Sequence, residues 1–129
     1  MVLVGRNPDK AERVRQDVIA ASGNENGTEQ LADLGLMSEV RKMAARLLES
    51  EPAIHVLVNN AAILPAEREL TAEGLEQTFA TNLLSPYLLT ELLLPRVRES
   101  APARIVNVLS GGMYLSGIEP QDLEYARGD

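Results

Sequence analysis

The chain has 129 residues, one domain's worth at most, and its composition of 45% hydrophobic and 24% charged residues is that of a folded globular protein, not a disordered tail. The formal net charge is −7, from 12 Lys+Arg against 19 Asp+Glu, and the basic residues do not cluster, which excludes a nucleic-acid partner and an anionic membrane surface. With no Cys and a single His, His55, the chain has no disulfide framework, no thiolate nucleophile and no structural zinc site. No apolar stretch reaches the ~20 residues of a membrane span. The N-terminus runs out of apolar residues before a signal-peptide core could form, so a cytoplasmic location is expected.

Val2-Leu3-Val4 reads as a short buried strand ended by Gly5. Asn7-Pro8-Asp9 opens a helix, with Asn7 as cap, Pro8 at the first helical position and Asp9 at the positive end of the dipole. Ala11, Val14, Val18 and Ala21 mark its apolar face, and Asn24-Glu25-Asn26-Gly27 closes it. Thr28 to Leu34 is a weaker second strand. A second helix follows Ser38, with Val40, Met43, Ala44, Leu47 and Leu48 as an amphipathic stripe stopped by Glu51-Pro52. Ile54 to Val58 is a third strand, apolar enough to be covered by helices on both faces. Thr71 caps a helical region running to about Glu99, in which Leu75, Phe79, Leu83, Leu88 and Leu92 supply apolar contacts and Pro86 and Pro95 bend or divide it. Ile105 to Leu109 is a fourth strand, Gly111-Gly112 releases the chain into a loop, and residues 119–129 look irregular. Strands alternating with helices predict a parallel α/β sheet with right-handed crossovers.

The carboxyl ends of strands in such a sheet are where ligands bind. Asn59-Asn60-Ala61-Ala62 stands at one, and its two small residues let a flat ligand approach the backbone. The same tetrapeptide also suits a plain strand-end turn, with the Asn side chains bonded to nearby backbone. Asn82 inside the long helix and Ser110 at the end of the fourth strand are unremarkable singly. Their order along the chain carries more: Asn-Asn-Ala-Ala, then Thr81-Asn82-Leu83-Leu84, then Arg104 to Gly112.

This combination resembles the short-chain dehydrogenase/reductase family, in particular its retinol-dehydrogenase-like branch, whose longer loop after the serine contains an Asp-Leu pair like Asp122-Leu123. The resemblance covers essentially the whole chain. The family's Asn-Asn-Ala-Gly motif ends here in Ala62 instead of Gly. The resemblance implies that Ser110 hydrogen-bonds the substrate oxygen and that Asn82 anchors the water and lysine of a proton relay. It implies that Asn60, Ala61 and Ala62 line the cofactor cleft on the adenosine side and that Asp33 meets the adenine edge. Arg6 stands where an acid would bind the ribose 2′-hydroxyl of NAD, and a basic residue there suits the 2′-phosphate of NADP(H) over NAD(H), although a solvated loop arginine would look the same. A small carbonyl or alcohol is the implied substrate, and the helix around 83–98 is the candidate surface for a homo-oligomer.

Two family motifs are absent from the sequence. No Gly-rich pyrophosphate loop is present, and no Tyr-x-x-x-Lys, since residues 91, 118 and 129 follow the three tyrosines at that spacing and the only lysines are Lys10 and Lys42. The resemblance puts the first upstream of Met1 and the second beyond Asp129. The expectation is therefore a single incomplete Rossmann domain over 1–129, holding family strands 2 to 5 without the first, and inactive alone. A non-catalytic nucleotide-binding or interaction module on the same fold is the alternative. In the Rossmann order 3-2-1-4-5-6, the strands present would pair as 3 with 2 and 4 with 5. Residues 2–4 and 54–58 would then face each other across a gap, or collapse into direct pairing; the gap is the expected outcome.

Overall fold

Alternating apolar stretches and capped helices build four short strands and the helices between them in the computed structural model, which describes residues 1–114, 117 and 119–126. β1 (Val2–Gly5) leads to α1 (Pro8–Ser22), where the Asn7 side chain accepts the Lys10 N–H at 2.9 Å and Gly23, at φ 68°, ends the helix in the left-handed conformation. Ala11 is buried and Val14 and Val18 half-buried, but Ala21 is exposed.

β2 (Thr28–Leu31) is shorter than the sequence suggests: Ala32, Asp33 and Leu34 have left the strand. The reason is local hydrogen bonding. Asp33 Oδ1 accepts the Gly35 N–H at 2.9 Å, and the Asp33 N–H donates to Glu39 Oε2 at 2.6 Å, which bends the chain into the next helix. That helix, α2 (Met37–Ser50), starts one residue before Ser38. Its cap comes from far away in sequence, since Glu73 accepts the Met37 and Ser38 N–H groups at 2.7 and 3.0 Å. Val40, Met43, Ala44 and Leu47 are buried as the stripe predicts, and Leu48 is half-buried.

β3 (Val56–Asn59) starts two residues later than expected, because Ile54 donates its N–H to Ser100 Oγ at 2.8 Å instead of to a strand. The long helical region starts six residues later than Thr71. Thr71 heads a turn, its Oγ1 accepting from Glu73 and Leu75 at 3.3 Å, and Glu76 is the cap of α3 (Gln77–Phe79). A π-helical turn at Ala80–Leu84 follows, and then α4 (Ser85–Glu99). Pro86 accounts for the π turn: it has no N–H to give the Asn82 carbonyl four residues back, and its ring crowds that carbonyl. The Ser85 N–H reaches instead to the Ala80 oxygen, five residues back. Pro95 sits inside α4 without dividing it. The buried apolar positions of α4 are Leu89, Leu93 and Val97, one residue on from the expected stripe, so Leu88 and Leu92 are only half-buried and Leu83 is exposed. The π turn adds a residue and rotates the face.

β4 (Arg104–Asn107) ends before Leu109, which is exposed. Gly111–Tyr114 form a 3-10 turn, residues 120–126 are turns and irregular chain, and the end of the 119–129 segment, 127–129, lies outside the described residues.

The strands pair in two separate parallel ladders. Val2 to Gly5 pair in register with Thr28 to Leu31, and Val56 to Asn59 with Arg104 to Asn107. No ladder joins β1 to β3. Their inner edges instead line one open cleft of about 810 Å³, as the topology predicts, and direct pairing of residues 2–4 with 54–58 does not occur. The main core lies where α2 and α4 pack together through Met43, Ala44, Leu47, Leu93 and Val97 beneath Leu57 and Ile105, and α1 packs separately on β1 and β2, with Ala11 buried beside Gly5. On the other face of the β3–β4 pair, Val56, Val58 and Val106 are 54, 54 and 41% exposed. The expectation that helices cover both faces of the third strand therefore fails among the described residues.

Candidate functional site

Parallel strands bring their carboxyl ends to one edge, and the chemistry-bearing residues stand there. Arg6 follows β1 directly and is exposed. Asp33 is half-buried two residues past β2, with one carboxylate oxygen committed to Gly35. Gly35 is buried at this corner, where an added Cβ would meet Asp33 Oδ1 at 3.2 Å and Thr81 Oγ1 at 3.4 Å. The loop therefore needs glycine to hold Asp33 against the start of the π turn.

At the end of β3 the two asparagines divide their work. Asn59 Nδ2 donates to Thr90 Oγ1 at 3.1 Å and to Asn107 Oδ1 at 2.9 Å, tying β3 to α4 and β4. Asn60 is exposed, and it lines the cleft together with Ala61. Ala62 is exposed next to them.

Asn82 is exposed at the side of an open cleft. Its side chain makes a two-point bond with a single residue: Oδ1 accepts the Ile63 N–H at 2.9 Å and Nδ2 donates to the Ile63 carbonyl at 2.8 Å. Both polar ends of the amide are engaged, so in this structure Asn82 fixes the loop that follows Asn60-Ala61-Ala62. Ser110 is exposed, and its Oγ accepts the Gly112 N–H at 3.2 Å, leaving the hydroxyl proton free to donate. No hydrogen bond joins Ser110 to Asn82 among the described residues.

Beside Asn82 lies a second cleft of about 470 Å³, with Leu64, Phe79, Leu83, Leu123 and Tyr125 on its walls. Leu64 is 91% exposed there. The sequence does not announce this cleft, because its walls come from three separated segments; Leu64, an apolar residue shortly before the charged run 67–69, was the one available signal. Glu76 closes its base. It is only 6% exposed, and burial pushes its carboxyl up, but the Thr78 and Phe79 N–H groups donate to it at 2.8 and 2.6 Å and the net result is a lowered pKa. Glu124 accepts the Glu76 N–H at 3.1 Å, and its carbonyl accepts Arg68 Nε at 3.0 Å, which holds residues 122–125 over the cleft.

A dinucleotide fits part of this edge. Arg6 offers an unburied cation at the end of β1, and Asp33 keeps one carboxylate oxygen for a donor on a purine. Exposed Ala61 and Ala62 allow close approach at the end of β3. No glycine-rich turn before a helix is present among the described residues to cradle a pyrophosphate.

The family model for short chain dehydrogenases matches residues 1–118. The chain is 37% identical over 125 residues to dehydrogenase/reductase SDR family member 12 of Bos taurus, covering 97% of this chain and 39% of that protein. It is 36% identical over 122 residues to retinol dehydrogenase 11 of Mus musculus, covering 95% of this chain and again 39% of the relative. Among solved structures, an RhlG/NADP active-site complex from Pseudomonas aeruginosa superposes with a TM-score of 0.71 at 26% identity, over 98% of this chain and 50% of that one. A metagenomic short-chain oxidoreductase in complex with NADP gives 0.70 at 26% identity, over 84% and 50%. The chain thus spans about two fifths of its curated relatives, and with the matched strands, the split parallel sheet and the residues gathered at its carboxyl edge, it belongs to the short-chain dehydrogenase family of oxidoreductases.

Proposed function

We propose that the chain carries the adenosine-binding side and the substrate serine of an NADP(H)-dependent oxidoreductase that interconverts a carbonyl and an alcohol. The observation that supports this reading best is that Arg6, Asp33, Asn60 to Ala62 and Ser110 all follow the carboxyl ends of the strands in the two parallel pairs. Bound there, the nicotinamide would supply or accept the hydride. Arg6 would pair with the 2′-phosphate, and Asp33 would accept from the adenine amino group. Asn60, Ala61 and Ala62 would lie against the adenosine, their loop held by the bond from Asn82 to Ile63. Ser110 Oγ would donate to the substrate oxygen as negative charge builds on it, worth roughly 2.7–4 kcal/mol by analogy with oxyanion-hole donors.

The lysines of this sequence, Lys10 and Lys42, lie in α1 and α2, so no lysine stands four residues after a tyrosine to lower its pKa. On this reading the 129 residues alone bind but do not turn over. The same observation favours a second reading, a nucleotide-binding or interaction module without catalysis. Leu83 and Tyr87, exposed and one helical turn apart, are the surface a second copy would use. Titration with NADP and NAD tests the cofactor assignment: Arg6→Ala should weaken NADP binding and leave NAD nearly unchanged, and equal losses for both would refute it. NADP-dependent turnover by the 129-residue chain that disappears in Ser110→Ala would refute the expected inactivity and the module reading together.

A further inference from the structure

The ladder between β1 and β2 runs out at Ala32, whose N–H donates to the Gly5 carbonyl at 3.0 Å. The next backbone donor, the Asp33 N–H, lies past the end of that ladder in a half-buried position, where it needs another partner. Glu39 of α2 supplies it: Oε2 accepts the Asp33 N–H at 2.6 Å. A backbone donor on a carboxylate makes a hydrogen bond of the strong, charge-assisted kind.

The reach of Glu39 is unusual for its place. It stands third in α2, after Met37 and Ser38, where an acidic side chain ordinarily turns back to the N–H of the cap residue. Here the cap residue's N–H, that of Leu36, is taken by the Asp33 carbonyl at 3.1 Å, and Glu39 extends past the cap to Asp33 itself. Asp33 is thereby tied at each polar group but one. Its N–H goes to Glu39, its carbonyl to Leu36, and its Oδ1 to the Gly35 N–H at 2.9 Å. Oδ2 has no partner among the described residues. The anchor behind Glu39 is firm, because Glu73 holds the first N–H groups of α2 and the neighbouring Val40 and Met43 are fully buried. Leu34 lines the open cleft together with Asn60 and Ala61, so Asp33 stands at the rim where the adenosine is placed.

We propose that Glu39 is a positioning residue for base selection: by holding the Asp33 backbone it fixes the free Asp33 oxygen in place, so that a base with a 6-amino group is accepted and one with a 6-oxygen is refused. This rests on the nucleotide-binding reading above. The free oxygen can only accept, which suits the amino group of adenine and sets acceptor against acceptor on hypoxanthine. Refusal needs rigidity. A carboxylate free to swing turns away from the 6-oxygen at little cost, whereas a fixed one cannot, and the mismatch is then felt in full. Glu39 therefore acts on the ratio of two affinities, not on the general hold of the site.

The test compares NADP with its hypoxanthine analogue by calorimetric titration of the full 129-residue chain. The unsubstituted chain should prefer NADP at least about tenfold, the size of one charge-assisted hydrogen bond. Glu39→Gln keeps an acceptor at the same reach and should keep most of that preference. Glu39→Met removes the acceptor, and Glu39→Asp keeps the charge at the start of α2 but is one methylene too short. Both should lower the preference to about twofold, mainly by admitting the analogue, since the lost mismatch of one charge-assisted bond accounts for it. Glu39→Asp also keeps α2 acidic in its first turn, so circular dichroism should be unchanged and the comparison stands if Glu39→Met does not fold. Asp33 amide exchange should be slow in the unsubstituted chain and in Glu39→Gln, and severalfold faster in Glu39→Asp. A preference left intact in both Glu39→Met and Glu39→Asp overturns the proposal, as does equal weakening of the two nucleotides, which would make Glu39 merely structural. A chain that binds neither nucleotide gives a different result: it refutes the nucleotide reading, and the role of Glu39 falls with it.

Discussion

The bond between Asn82 and Ile63 makes a sharp prediction. In Asn82→Ala both hydrogen bonds, 2.8 and 2.9 Å, are lost. A net intramolecular hydrogen bond contributes about 0.5–1.5 kcal/mol, and because Asn82 is exposed, water replaces part of the loss and the lower figure applies to each. The pair is then worth about 1 kcal/mol, against which alanine's better helix propensity returns up to about 0.7 kcal/mol. Global stability should therefore change little, while the loop after Asn60-Ala61-Ala62 loosens. Amide exchange read by NMR separates the two effects. The Ile63 N–H should exchange severalfold faster in Asn82→Ala, with exchange at core residues such as Met43 nearly unchanged. Asn82→Asp sharpens the test. The ionised side chain still accepts the Ile63 N–H but sets a second acceptor against the Ile63 carbonyl. Its folded-state pKa should be raised, so the contribution of its protonated, donating form is present at low pH and is lost as pH rises through that pKa. Ile63 protection that is identical in the native chain and in Asn82→Ala would refute the positioning role.

Three further outcomes are expected. Met43, fully buried between α2 and α4, should cost about 2–5 kcal/mol on truncation to Ala, enough to abolish the cooperative unfolding transition followed by circular dichroism, so that a sharp transition in Met43→Ala would place the stability elsewhere. Glu76→Ala should cost about 0.5–2 kcal/mol in urea titration through the lost cap of α3, and a change within error would show that the Thr78 and Phe79 donors find other partners. The lowered pKa values of Glu73, which accepts from Ser38 and Met37, and of the buried cap Glu76 contribute stability that is present above the ordinary glutamate value of ~4.3 and lost as pH falls through the folded-state values. The acid slope of the unfolding temperature should accordingly flatten in a Glu73→Gln, Glu76→Gln double variant.

The parts of the fold that could be read from the sequence were those fixed by local periodicity and caps. Asn7-Pro8 announces α1, and the Val40 to Leu47 stripe announces α2, because residues within one helix decide both. The start of the long helix could not be read this way. Thr71 has the chemistry of a cap, but its hydroxyl is spent on its own turn, and Glu76, which caps instead, has its backbone N–H held by Glu124 from 48 residues away. The buried stripe of α4 shifted by one for a reason that was half legible. Pro86 signals a break, but whether the chain kinks, stops or inserts a π turn depends on whether another acceptor can take the Ser85 N–H. At the site, the positions of Arg6, Asp33, Asn60 and Ser110 follow from strand order alone. The engagement of Asn82 by the Ile63 backbone does not, since it depends on how the loop after β3 folds back.

The layer formed by α2 and α4 explains why the cleft stays open. α2 links β2 to β3 and α4 links β3 to β4, so the pair of helices passes under both half-sheets and is packed by Met43, Leu47 and Leu93. This layer holds the half-sheets together without requiring their inner edges to meet. It also divides the candidate cofactor edge, with Arg6 and Asp33 carried by one half-sheet and Asn60, Ala61, Ala62 and Ser110 by the other. A ligand that touches both halves must fix their separation as it binds, and ordering two bodies costs affinity that a rigid site would keep.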